Sequence, residues 1–173
     1  MVHYCFERQR QGASLFKLSG QDGYCQDMSP TLKTATIGQL DAVTLYKLLQ
    51  LRSEVFVVEQ DCVYQDLDGR DCEPTTEHVW YEEGEGGKVL STLRVLRDPD
   101  SAIRIGRVCT SATGRGQGLA AAMIEQVISE ATGEVVLIAQ SYLKKWYESL
   151  GFVVEGAEFV EDRIPHIPMR LQR

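Results

Sequence analysis

The stretch Val108-Cys109-Thr110-Ser111-Ala112-Thr113-Gly114-Arg115-Gly116-Gln117-Gly118-Leu119-Ala120-Ala121-Ala122-Met123-Ile124 takes an apolar strand into a glycine-rich turn, which opens at once into an amphipathic helix. At the helix mouth, Arg115-Gly116-Gln117-Gly118-Leu119-Ala120 sets two glycines and a small residue where backbone N–H groups have no helical partner. Such amides and the positive end of the helix dipole both favour an anion. Glycine lets the backbone approach that anion without a Cβ in the way. Neither of the commoner phosphate motifs is present. No Gly-Lys-Ser/Thr closes the turn, and no Gly-x-Gly-x-x-Gly is followed by an acidic residue about 20 positions on. By itself the turn also reads as an ordinary tight connection.

Outward from the turn, the pattern gives a fold class. The helix spans about 116–132, with Ala120, Met123, Ile124, Val127, Ile128 and Ala131 in one apolar stripe, and Thr132-Gly133 ends it. Strand 134–140, apolar on both faces, reads as central and parallel to a neighbour. A helix at 142–149 and strands near 151–160 and 166–171 follow. Upstream, a short strand at about 32–36 precedes a helix starting near Ile37, whose apolar face is Leu40, Val43, Leu45, Tyr46, Leu48, Leu49 and Leu51. Arg52 to Phe56 continues that helix, and 59–75 is a polar loop. Strands at 76–82 and 88–97 are joined by Glu82-Glu83-Gly84-Glu85-Gly86-Gly87, a hairpin turn. Asp98-Pro99-Asp100 turns into the strand at 102–110. Antiparallel hairpins followed by β-α-β-α-β predict an α/β fold, a central mixed twisted sheet with helices on both faces. It occupies 31–173 as one domain, a normal size for a single core. Residues 1–30 lack any period. They read as a poorly ordered extension or a misassigned start, with Met28-Ser29-Pro30 resembling a natural beginning; the alternative is an extra strand at Val2-His3-Tyr4-Cys5-Phe6.

Two motifs in order raise the specificity of the turn. Arg115-x-x-Gly118-x-Ala120 resembles the acyl-CoA pyrophosphate signature of the GNAT superfamily, the acetyl-CoA-dependent N-acyltransferases. About 30 residues on, Lys145-Trp146-Tyr147-Glu148-Ser149-Leu150-Gly151-Phe152 resembles the second half of that signature. Upstream, Leu51-Arg52-Ser53-Glu54-Val55-Phe56-Val57-Val58-Glu59-Gln60, with Tyr64, Asp66, Asp68-Gly69, Asp71, Thr76 and His78, is similar to the ElaA-type branch, as is Glu161-Asp162-Arg163-Ile164-Pro165-His166-Ile167-Pro168-Met169. The resemblance covers roughly 33–173. It implies a GNAT fold, acetyl-CoA as cosubstrate, and transfer of an acetyl group to a primary amine of a small molecule or peptide.

Composition narrows the partners. The 173 residues carry a formal charge of −7, with 43% apolar and 25% charged residues, as in soluble globular proteins. The acidic balance argues against a nucleic-acid partner and weakly suits a cationic amine. No apolar run approaches the roughly 20 residues needed to span a bilayer, so no membrane partner is expected. Cys5, Cys25, Cys62, Cys72 and Cys109 are odd in number and irregularly spaced, which suits free thiols in a reducing cytoplasm. A homodimer is compatible with all of this.

Acyl transfer to an amine requires a held cofactor, a polarised thioester carbonyl, a deprotonated amine and a proton for the departing thiolate. The turn amides over Arg115, Gly116, Gln117, Gly118, Leu119 and Ala120 would take the pyrophosphate. By resemblance, Cys109 and Thr110 lie where a strand bulge offers backbone amides to the pantetheine arm and acyl carbonyl, and Val108 beside them is a further cofactor-binding candidate. The Cys109 side chain itself reads as a buried small hydrophobe, so direct attack by the amine is expected rather than a covalent relay. Tyr147 is the candidate acid, protonated at neutral pH; Trp146 and Phe152 read as core. The base stays open among His78, His166, Glu59 and a water chain. The Asp66-Leu67-Asp68-Gly69-Arg70-Asp71 loop fails as a calcium loop, because its sixth position is Asp71 where glycine is required; it reads as solvated or substrate-gating. Cys62, Cys72 and His78 lack zinc-ligand spacing, and no metal is expected. Two other readings compete. Arg52-x-x-x-Phe56-x-x-x-x-Gln60 resembles a helix of the N-acyl-homoserine-lactone synthases, though residues 57–63 hold none of the Trp usual there. A CoA-binding module without turnover is the other, and it has no use for Tyr147.

Overall fold

The computed structural model describes residues 29–172; the N-terminal extension expected over 1–30 lies almost wholly outside them. In chain order come β1 (Pro30–Thr36), α1 (Ala42–Arg52), a π-helical segment (Ser53–Glu59), β2 (Glu77–Glu83), β3 (Val89–Arg97), β4 (Ile103–Thr110), α2 (Leu119–Glu130), β5 (Val135–Gln140), α3 (Lys144–Ser149), β6 (Phe152–Val154), β7 (Phe159–Glu161) and β8 (Ile164–Leu171). One eight-stranded sheet runs β1-β2-β3-β4-β5-β8-β6, with β7 pairing on β8. Only β4 and β5 are parallel, so the sheet is mixed, as the pattern predicts.

Helices cover both faces because alternate strand residues are apolar on both. On one face Val79, Leu93, Ile105, Leu137 and Met169 pack against Met123, Ile124 and Val127 of α2 and Tyr147 of α3. On the other, Trp80, Val89 and Cys109 pack against Leu48 and Leu51 of α1 and Val55. Each large aliphatic buried in these layers contributes about 1.5–3 kcal/mol by transfer from water.

Several boundaries differ from the expected ones. Helix α1 starts at Ala42 rather than near Ile37, because Asp41 caps it: its Oδ1 accepts from the amides of Val43 at 2.9 Å and Thr44 at 3.0 Å. That register leaves Val43 and Tyr46 exposed rather than on the packed face. Past Arg52 the chain widens into a π-helix, marked by the Gln60 amide donating to the Val55 carbonyl at 3.1 Å, five residues back. Helix α2 starts at Leu119, because Gly116 and Gly118 both have φ of 77° and stand outside the helix. The strand expected over 151–160 is two short ones. Pro168, in the middle of β8, has no N–H to donate to a ladder; β6 ends opposite Met169, and β7 resumes opposite His166.

Two departures in β4 position the site. Thr92 pairs with Cys109 but Arg94 with Gly106, so β4 holds one residue more than β3 across this interval. Arg107 lies there in the left-handed region, with φ of 54°, which makes a bulge that bends the strand. Pairing between β4 and β5 covers only Ile103–Ile105 against Val135–Leu137. From Gly106 onward the two strands part.

Candidate active site

The gap between β4 and β5 opens into a cavity of about 1180 Å³, lined by both strands, the π-helical segment, the turn before α2, the start of α3 and the β7–β8 turn. Along β4, the amide of Ser111 donates to the Leu90 carbonyl on the β3 side. Strand alternation therefore turns the Thr110 N–H and C=O toward the gap. Consistent with this, the Thr110 carbonyl accepts from Arg115 Nε at 3.2 Å. Val108 and Cys109 line the same cavity. Cys109 is buried, and burial pushes its thiol up, well away from a thiolate.

The α2 mouth stands at one end. The ladder of α2 begins with the Ala122 amide donating to the Gly118 carbonyl at 3.0 Å, so the preceding turn amides lie ahead of it. Gly114 permits the turn to pass close under β3, since a Cβ there would meet the Leu90 carbonyl at 2.7 Å. Arg115, Gly116 and Ala120 line the cavity, whereas Gln117, Gly118 and Leu119 do not. The Gln117 side chain is turned back onto the Thr113 carbonyl at 2.8 Å. A Cβ at Gly116 would meet no protein atom within 4 Å: the space beside that backbone is open. These features fit an anionic phosphate group.

Tyr147 is 5% exposed yet borders the cavity. Its ring is held edge-on by Trp146 at 4.7 Å and Phe152 at 5.9 Å, and burial pushes its hydroxyl pKa up. Phe152 is core, as expected, while Trp146 packs on the core and also lines the cavity. His166 lines the cavity too, stacked on Phe159 at 5.9 Å. Its Nδ1 lies 2.8 Å from the Ile164 carbonyl. A carbonyl only accepts, so that hydrogen bond assigns a proton to Nδ1, and in the neutral imidazole Nε2 then keeps a lone pair. Glu59, at the end of the π-helix, reaches the cavity with its Oε2 2.6 Å from Arg115 Nη2. The fourth candidate is not brought to the cavity. His78 is 2% exposed, its Nε2 is 3.2 Å from the Asp71 carbonyl, and burial lowers its pKa.

The 66–71 loop is not simply solvated. Asp66 and Asp71 are buried. Arg52, itself 2% exposed, bridges them: Nε to Asp66 at 3.0 Å and Nη1 to Asp71 at 2.6 Å. Arg94 grips both oxygens of Asp68 at 2.8 and 2.7 Å. Arg107, from the β4 bulge, lies 2.7 Å from Asp66 and 3.4 Å from Asp68. The hydrogen bonds from Arg94 hold Asp68 well below the usual carboxylate range. Burial alone would raise Asp71, but the Arg52 and Arg94 guanidiniums hold it down. Tyr64 and Arg107 carry this cluster to the cavity wall, and neither was assigned a role from the sequence. Gly106 inside a strand was the one local trace of the bulge. Gln60 and Gln140 also meet at the wall, in paired amide contacts of 3.0 and 3.4 Å.

Among the described residues, no group of three His, Cys, Asp or Glu side chains is arranged to hold a metal ion, and no helix is long and apolar enough to cross a membrane.

The model of the acetyltransferase (GNAT) domain matches residues 35–173. A UPF0039 protein of Mycobacterium tuberculosis is 43% identical over 146 residues, covering 82% of this chain and 93% of the relative. Protein ElaA of Escherichia coli is 36% identical over 140 residues, covering 76% of this chain and 89% of its own. Its crystal structure superposes with a TM-score of 0.76, covering 83% of this chain and 100% of that one. The crystal structure of an acyl-CoA N-acyltransferase from Pseudomonas aeruginosa gives the same TM-score and coverages at 39% identity. The acyl-homoserine-lactone synthase LasI, at 15% identity and a TM-score of 0.64 over 83% of this chain and 89% of that one, shares the fold alone.

Proposed function

The chain belongs to the GNAT acyltransferase family, in the branch of ElaA, and from that premise we propose that it moves an acetyl group from acetyl-CoA to a primary amine of a small molecule or peptide by direct attack. One observation carries the reading: the α2 mouth, the unpaired edge of β4 and Tyr147 all open on a single cavity.

Acetyl-CoA, when bound, supplies an activated acyl thioester. The turn amides around Gly116, with the α2 dipole behind them, hold the pyrophosphate. The outward N–H of Thr110 and the amide of Val108, two residues before it, serve the pantetheine arm and the acyl carbonyl; a donor aimed at a developing oxyanion typically contributes about 100- to 1,000-fold. His166 Nε2, bearing a lone pair, takes a proton from the incoming ammonium, directly or through water. Glu59 already serves Arg115, which makes it the weaker choice for that role. Tyr147 keeps its proton throughout the working pH range and gives it toward the leaving sulfur. Cys109 supplies no nucleophile, because burial keeps its thiol protonated. The free Cys62, Cys72 and Cys109 are in keeping with a cytoplasmic setting.

Initial rates with both substrates varied test this reading. Intersecting lines are expected for direct attack. Parallel lines together with an acylated protein would point to a covalent relay. Tight CoA binding without turnover on any amine would favour the binding module, and turnover confined to long acyl donors with a homoserine-lactone precursor would favour the synthase.

A further inference from the structure

Tyr64 is a polar cavity residue for which the mechanism above has no use. It lines the cavity, and the Arg107 guanidinium lies over its ring, 5.5 Å from the ring centre. Its Oη is 2.8 Å from Asp66 Oδ1. Asp66 is ion-paired with Arg52 at 3.0 Å through its other oxygen, and with Arg107 at 2.7 Å through the same one. A carboxylate between two guanidiniums is an acceptor only, so the phenol must be the donor. Tyr64 has one proton, and Asp66 holds it. What the hydroxyl retains for a ligand is lone pairs.

Its place in the cavity says which ligand. Arg107 precedes Thr110 by three residues along β4, so Tyr64 lies toward the end away from the α2 mouth and its phosphate cradle. The β7–β8 turn folds over that same end. Cys62 Sγ contacts the Asp162 carbonyl at 3.7 Å, and Arg163 reaches the Asp61 carbonyl at 3.4 Å, just before Tyr64 in the chain. Glu161 and Asp162 of that turn also line the cavity. The cavity's arginines, by contrast, are engaged: Arg107 by Asp66 and Asp68, Arg115 by Glu59.

Resting on the acetyltransferase reading, we propose that Tyr64 is the acceptor-binding residue: its phenol oxygen accepts an N–H of the incoming amine, and Glu161 and Asp162 select an amine that arrives as a cation. The buried Arg52–Asp66 pair is then a positioning device, which fixes the direction of the Tyr64 proton and so makes the oxygen an acceptor on the cavity side.

The test uses the full chain, acetyl-CoA, and spermidine, L-lysine and tyramine as cationic probes, with aniline as an acceptor uncharged at neutral pH. With the best cationic amine, Tyr64→Phe is expected to raise the amine KM by about 10- to 100-fold, the worth of one hydrogen bond to a charged group. The KM for acetyl-CoA and kcat at saturating amine stay at parental values. A merely structural tyrosine would instead lower Tm and move both KM values together. The exposed pair Glu161→Gln and Asp162→Asn is an independent arm that spares the core: it should raise the KM of the cationic amine and flatten its salt dependence, leaving aniline unaffected. An active parent whose amine KM is unchanged in Tyr64→Phe overturns the assignment. So does an equal effect of the turn variant on aniline and on the cationic amine. A parent that turns over no amine overturns the acetyltransferase reading itself, and this inference with it.

Discussion

Single atoms decide the chemistry proposed for this cavity. Tyr147 is packed by Trp146 and Phe152, so Tyr147→Phe keeps the ring contacts and removes only a proton. Turnover should fall by about 100- to 10,000-fold, the usual range for general acid catalysis. Affinity for acetyl-CoA and thermal stability should stay parental, as calorimetric titration and a melting curve would report. Donors with a more acidic leaving thiol should recover part of the loss. The two turn glycines were legible in the sequence, but not their division of labour. A Cβ would meet no protein atom within 4 Å at either, but Gly116 borders the cavity whereas Gly118 does not and caps α2. Gly116→Val should therefore weaken CoA binding by at least about tenfold, equivalent to 1.4 kcal/mol. It also places a branched side chain at positive φ, a strain of about 1–2 kcal/mol. Gln117→Ala, whose side chain only closes the turn on Thr113, should leave CoA affinity unchanged. Among the candidate bases, His166 and His78 look alike as letters. Only the fold reveals that one borders the cavity and the other is enclosed beside Asp71.

At the element scale, the segment after α1 was the least readable. A helical pattern at 3.6 residues per turn continues smoothly past Arg52, and nothing in it announces the wider π turn that brings Val55, Phe56, Glu59 and Gln60 to one cavity wall. The 66–71 loop was misleading for a related reason. Its aspartates are polar and turn-forming in sequence, but their partners are distant: Arg52 is 14 residues before Asp66, and Arg107 is 41 after it. Local pattern cannot register such pairs. The cluster makes a pH prediction. Asp68 and Asp71 have folded pKa values held below the unfolded carboxylate value near 3.9. Their stabilisation is thus fully present above that unfolded value and is lost as pH falls through the folded ones. Urea midpoints should be flat with respect to these groups from about pH 8 to pH 5 and fall steeply below about pH 4. Arg52→Ala strands two buried carboxylates and should cost about 3–5 kcal/mol; a loss under about 1 kcal/mol would mean that the cluster is no more than a surface network.

At the scale of the whole molecule, the sheet order could be read in outline because each strand announces its own surroundings. Strand β5 is apolar from Val135 to Ala139 and lies between β4 and β8, and the β2–β3 hairpin is marked by the glycine-rich turn at 84–87. What the sequence lacked was the place where pairing stops. The split of β4 from β5 follows Ile105, and two residues on Arg107 adopts φ of 54°, a conformation arginine rarely takes. That split opens the sheet into a cavity whose proposed cofactor end is at α2 and whose proposed acceptor end is at Tyr64 and the β7–β8 turn. The most direct test of this arrangement follows free thiol released from acetyl-CoA by the full chain, with and without each amine of a panel, while mass spectrometry counts the N-acetylated product. The account predicts amine-dependent thiol release, one thiol per acetylated amine, no acetyl group left on the protein, and loss of that release in Tyr147→Phe. Thiol release that ignores the amine, or none with any primary amine despite tight CoA binding, would contradict it.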